Sequence, residues 1–131
     1  MNLGSSQTFA KKMIVESRFL SQRYLDIDLT PWTDFDNRLL PIPLLSSFGG
    51  DIAREFEIIS PDEWSELVAL IEKGLTSHDD DISTAVATGF IEALVNVAEL
   101  EEGRWPRIDA VLGPEARGYA DAYRNAAFMN R

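Results

Sequence analysis

Residues 60–98 leave the chain little choice of fold class. Ser60-Pro61-Asp62-Glu63 has the form of a capping box with proline at the first helical position. The serine hydroxyl and the glutamate carboxylate each satisfy an amide that a helix start leaves unpaired. Trp64, Leu67, Val68, Ile71 and Leu75 follow at three- or four-residue steps, so one face of the helix is apolar. Gly74 and Thr76-Ser77 end it. A second helix then runs through Ile82, Ala85, Val86, Gly89, Phe90, Ala93, Leu94 and Val97, again at helical spacing. Gly89 lies on its apolar face, where a missing side chain admits a close neighbour. Gly103 is a stop. Two such helices with a short link make an antiparallel hairpin.

The flanking segments extend this reading. Trp105–Leu112 is a short helix that Gly113-Pro114 breaks, and Pro114–Phe128 is a last helix with Ala116, Tyr119, Ala120, Tyr123 and Ala127 as its buried stripe. Residues 7–24 have a rough helical period, although Met13, Val15, Ser17 and Phe19 also alternate as in a strand. Leu25–Leu29 alternates strictly and reads as a short strand or an extended lead-out. Pro31, Pro41 and Pro43 argue against a continuous helix over 30–50. That segment holds Trp32, Phe35, Leu39, Leu40, Ile42, Leu44, Leu45 and Phe48, so it is an apolar irregular connection that packs on the helices or presents a face. Gly49-Gly50 reads as a turn, after which Asp51 caps a short helix through Phe56. The expected fold is therefore mostly α: a compact antiparallel bundle in one domain, 1–131. It contains the 60–98 hairpin, the irregular connection at about 30–50, and a short strand near 25–29.

Charge is distributed unevenly. The net charge is −10, which repels nucleic acid and anionic membranes. Residues 60–102 hold eleven Asp/Glu against Lys73 alone, a net −10, whereas residues 1–59 are −2 and 103–131 are +2. One predicted hairpin thus accounts for the whole excess, and such a surface attracts a basic protein. There is no cysteine, which removes disulfides and thiolate chemistry and suits a reducing compartment. Met1–Gln7 has no basic segment followed by an apolar one, unlike a signal peptide. No uncharged apolar run reaches the ~20 residues of a membrane span. A cytoplasmic location is expected.

The catalytic motifs are weak. His78 is the single histidine and reads as a turn residue ahead of a helix. Asp79-Asp80-Asp81 fan out by ~100° each on a helix and at least one is explained as a cap, so they do not converge on a metal. Asp26-x-Asp28 and Asp34-x-Asp36 resemble short metal motifs of nucleotide-sugar enzymes, but no nucleotide-binding scaffold accompanies them. Gly49-Gly50 lacks the surroundings of a phosphate loop. The expectation is no enzyme, no metal and no cofactor.

Thr88-Gly89-Phe90-Ile91-Glu92-Ala93-Leu94, then Leu112-Gly113-Pro114-Glu115 and a helix with Tyr119 and Tyr123, resembles small acidic bacterial immunity proteins encoded beside polymorphic or contact-dependent growth-inhibition toxins. The resemblance covers roughly residues 60–128. It implies a cytoplasmic protein that binds a cognate basic toxin domain, often a nuclease, and occludes its active site or substrate groove. It transfers no catalytic or contact residues. The residues themselves nominate Asp79, Asp80, Asp81, Glu92, Glu99, Glu101 and Glu102 as an acidic binding surface, with Trp32 and Phe35 as aromatic anchors. The protein is expected to be a monomer or weak homodimer. A helical adaptor or regulatory subunit is the alternative, and a metal-dependent enzyme using the aspartates ranks behind it.

Overall fold

The computed structural model describes residues 4–128; residues 1–3 of the Met1–Gln7 segment lie outside them. Its elements in order are α1 (Ser5–Glu16), α2 (Arg18–Tyr24), a 3-10 turn (Thr30–Trp32), α3 (Pro41–Arg54), a 3-10 turn (Phe56–Ile58), α4 (Pro61–Leu75), α5 (Asp80–Ala98), α6 (Arg104–Asp109) and α7 (Pro114–Phe128). The mostly α expectation holds. Leu25–Leu29 is turn and bend, not strand. Its apolar residues Leu25 and Ile27 face solvent, and among the described residues no strand is there to pair with it. Among the described residues the β-type pairing is one isolated antiparallel bridge, Thr33–Leu39.

The irregular connection expected over 30–50 is half wrong. Residues 41–54 are a helix despite two prolines. Pro41 and Pro43 both fall in its first turn, where amides have no intrahelical acceptor, so their missing N–H groups cost nothing. Gly49-Gly50 is accordingly no turn but lies buried inside α3. Asp51 does not cap a new helix. It sits in the last turns of α3 and accepts a hydrogen bond from the Tyr24 hydroxyl.

The glycines show why α3 forms where it does. A Cβ on Gly49 would stand 2.5 Å from the Phe90 carbonyl oxygen, and a Cβ on Gly89 would stand 3.0 Å from the Ile42 carbonyl oxygen. Each helix therefore offers one glycine to the backbone of the other. Their contact coincides with a π-helical stretch of α5, Val86–Ile91. The Ser46 hydroxyl donates to the Gly89 carbonyl across the pair at 3.0 Å, so a polar group in the disturbed stretch is satisfied from α3. Around this seam, Leu44, Leu45, Phe48, Ile52, Phe90, Ile91 and Leu94 are fully buried. The α5 helix is 19 residues long with a mean hydropathy of 1.2, the length and apolarity of a marginal membrane span; half of that window is buried inside the fold.

The expected 7–24 helix is two helices. Ser17 is buried with extended backbone (φ −101°, ψ 121°), and its side chain accepts from Leu20 N as the cap of α2. Serine competes well for this role because its hydroxyl offers the chain an alternative to continued helix. The Ser21 hydroxyl donates to the Ile14 carbonyl that the break exposes. The α4 capping box is present in both directions, Glu63 N to Ser60 Oγ and Ser60 N to Glu63 Oε1, each 3.1 Å. In α7, Ala116 and Ala120 are buried as expected, whereas Tyr119 faces solvent and Tyr123 is half-buried.

Arg104 is a buried charge with a definite task. Its guanidinium donates to the Ala53 and Arg54 carbonyls at 2.5 and 2.8 Å and pairs with Glu57 at 3.1 Å and with Glu101. It thus caps the C-terminal end of α3, where the dipole favours a cation.

The seam makes a paired prediction. Gly49→Ala forces a methyl against backbone and should lower stability by at least the ~1–3 kcal/mol of ordinary overpacking. A Cβ added at Gly118, in the exposed middle of α7, would meet nothing within 4 Å, so Gly118→Ala should raise stability by about 0.5–1 kcal/mol. Urea denaturation of the two variants beside the parent measures both.

Candidate protein-binding surface

The acidic hairpin is less free than its sequence implies. Glu63 closes the α4 capping box. Glu66 receives Arg18 Nε at 3.0 Å. Glu72 accepts from Glu115 N and Ala116 N, both 3.0 Å, so it caps α7 from another helix. Asp79 accepts from Asp81 N at 3.0 Å. Asp81 accepts from Ser6 N at 2.8 Å and Ser5 Oγ at 3.0 Å, which caps α1. Glu99 pairs with Arg124 at 2.7 Å, and Glu101 pairs with Arg104. At least seven of the eleven acids in 60–102 are therefore engaged within the fold. Asp80 and Glu102 are exposed and Glu92 is half-buried.

These groups do not make one surface. Asp79–Asp81 stand at the start of α5 and Glu99–Glu102 just beyond its end, about 28 Å apart at ~1.5 Å per residue. The second group is joined to basic partners from α6 and α7, so its field is largely answered locally.

The first group has different neighbours. Asp81 bonds Ser6, and the next residue, Gln7, donates through Nε2 to the Leu39 carbonyl at 2.7 Å. The first turn of α1 thus ties the Asp79–Asp81 turn to the loop that carries Phe35. That loop is closed by its backbone: Leu40 N to Trp32 O at 2.7 Å, Asp34 N to Arg38 O at 2.9 Å and Asn37 N to Asp34 O at 3.0 Å. The Asp34 carboxylate accepts from Asp36 N at 2.8 Å and Arg38 N at 2.9 Å. Asn37 takes the left-handed conformation (φ 61°) that the tight return needs and that asparagine tolerates better than most residues. Asp28 makes a similar turn, accepting from the Thr30 hydroxyl at 2.5 Å and from Thr30 N at 2.9 Å, and these bonds hold its carboxyl below the usual carboxylate range.

Phe35 projects from the tip of this loop with 95% of its surface exposed. Asp26, Asp28, Asp34 and Asp36 surround it in sequence, and none is ion-paired among the described residues. Trp32 does not share the exposure. It is half-buried and stands edge-to-face on Tyr24, centroids 5.7 Å apart, so it braces the loop. Tyr24 in turn stacks edge-to-face on Phe48 of α3 at 4.8 Å. Burial and the adjacent Asp51 push the Tyr24 hydroxyl well above the usual tyrosine range, so it stays a neutral donor.

Of the nominated residues, the structure brings Asp79, Asp80, Asp81 and the Phe35 loop to the same end of the fold. It sets Glu99, Glu101 and Glu102 at the other end of α5. Of the two Asp-x-Asp pairs, Asp34 and Asp36 are the immediate acidic flanks of the aromatic tip, whereas Asp28 closes its own turn on Thr30. Among the described residues no three His, Asp or Glu side chains converge in a way that would hold a metal ion. Against protein-family models, curated proteins and solved structures, the chain finds no match.

The Asp81 cap has a pH signature. The amide and hydroxyl of Ser6, with Ser5, hold its carboxyl below its ordinary 3.8, and Arg23 holds Glu55 below 4.5. Carboxyls depressed in the folded state add stability that is full above about 4.5 and is lost as pH falls through the lowered values. Asp81→Asn should therefore destabilise the protein at pH 7 and flatten its acid limb. Thermal melts from pH 7 to pH 2.5 test this, and parallel curves for variant and parent would rule it out.

Proposed function

We propose that this is a binding protein and not an enzyme. It acts as an immunity protein that docks the Phe35 end of the fold onto a basic toxin domain and occludes that domain's active site or substrate groove. The observation that carries the reading is an exposed phenylalanine on a loop fixed by its own hydrogen bonds, next to carboxylates that make no ion pair among the described residues. A large aromatic held out in water forgoes the roughly 1.5–3 kcal/mol that burial would give, and aromatics are enriched at the cores of protein interfaces. The acids complement a groove built to hold phosphates, which is basic by necessity. A monomer or weak homodimer that meets its partner in the cytoplasm fits this role. A helical adaptor would use the same surface, and the identity of the partner separates the two.

The test begins with the C-terminal domain encoded next to this gene. Binding at micromolar concentration or tighter, with loss of toxicity, supports the proposal; a toxin-like neighbour that the protein neither binds nor inhibits sinks it. Within such a complex, Phe35→Ala should weaken affinity by about 2 kcal/mol, roughly thirtyfold, and leave the melting temperature unchanged.

Charge steering gives a separate readout. Asp36→Lys with Asp80→Lys alters exposed acids that hold no structural bond through their carboxylates. Association at low salt should slow severalfold, and the difference should shrink as salt rises. An unchanged on-rate would remove these acids from the encounter.

A further inference from the structure

Phe9 of α1 rests against α4 at Gly74, where an added Cβ would lie 2.9 Å from its ring carbons and 2.8 Å from Val86 Cγ2. The bare glycine lets α1 and α4 approach closely, and the approach has a consequence one step away on each helix. Lys12 lies one turn beyond Phe9, and Lys73 is the residue before Gly74. Both lysines line a groove of about 420 Å³, together with Ser5, Thr8, Phe9, Ser77 and Ile82. Its volume lies within the range of small-molecule sites, and its walls are mainly apolar with few polar groups, as such sites usually are.

Two cations side by side are unexpected in a chain of net charge −10, and Lys73 is the sole basic residue of its segment. Lys12 reaches Glu16 at 3.7 Å. Lys73 has no carboxylate partner among the described residues. Asp81, next to Ile82, is already occupied by Ser5 and Ser6. The neighbouring Lys12 ammonium holds that of Lys73 below the usual lysine range, while Glu16 acts in the opposite direction. An anion placed between the lysines would relieve their repulsion.

We propose that this groove binds a small amphipathic carboxylate, with the carboxylate between Lys12 and Lys73 and the apolar body over Phe9 and Ile82. The groove adjoins the Asp79–Asp81 turn through Ser5 and Ile82, but the proposal does not rest on the toxin reading. A straight-chain acid is a suitable probe, because the charged rim and apolar floor distinguish it from a neutral molecule of the same length.

The experiment is titration of the full chain with decanoate, below its micelle concentration, followed by amide NMR. Saturable shifts confined to Thr8, Phe9, Lys12, Lys73, Ile82 and their neighbours are expected. Decanol should bind more weakly. The double variant Lys12→Gln, Lys73→Gln should weaken decanoate about tenfold. Thr8→Trp, which keeps both lysines and fills the groove from an exposed position, should abolish binding. Absence of saturation by roughly 1 mM decanoate, equal affinity for decanol, or undiminished binding by the double variant would each overturn the proposal.

Discussion

The backbones of α3 and α5 touch, and much of the fold depends on that contact. Gly49 lies beneath the Phe90 carbonyl and Gly89 beneath the Ile42 carbonyl, so neither helix can withdraw without opening the centre of the core. Such proximity excludes a side chain at Gly49, and one at Gly89 would force the α3 backbone to give by a few tenths of an ångström. It also explains how a helix holding two adjacent glycines persists, since packing rather than intrinsic propensity supplies its stability. The π-helical stretch of α5 falls at the same place, and Ser46 satisfies a carbonyl there.

From this seam the candidate surface is positioned in a few steps. Phe48 of α3 supports Tyr24, Tyr24 supports Trp32, and Trp32 braces the loop that presents Phe35. Gln7 and Asp81 join the same loop and the start of α5 to the first turn of α1. The aromatic tip is thus held by the core as well as by the hydrogen bonds of its own loop. A preformed anchor of this kind loses little conformational entropy on docking.

The acidic residues divide by task. Glu63, Glu72, Asp79 and Asp81 close helix starts, and Glu66, Glu99 and Glu101 answer arginines. A carboxylate at a helix N-terminus satisfies orphan amides and meets the positive end of the dipole. Much of a charge excess that looks like a binding surface in the sequence is therefore internal fastening. The local pattern disclosed this only where cap and helix are contiguous, as in Ser60–Glu63. Glu72 capping α7 and Asp81 capping α1 join segments 43 and 75 residues apart, and no local pattern can show that.

The sequence by itself determined the helical class, the α4 start, the extent of α5 and α7, and the burial of Gly89, because each follows from periodicity and capping within a few residues. It also contained Phe35, though with nothing to separate it from Trp32. Only the tertiary structure decided that Pro41 and Pro43 open a helix, that Gly49-Gly50 is a packing seam and not a turn, and that Trp32 is a brace while Phe35 is free. It alone tied the acids of 79–81, through the first turn of α1, to the loop that carries Phe35. The physical reason is the same in each case. Proline, glycine and carboxylate have several compatible uses, and the choice among them rests on which distant backbone or side chain stands opposite.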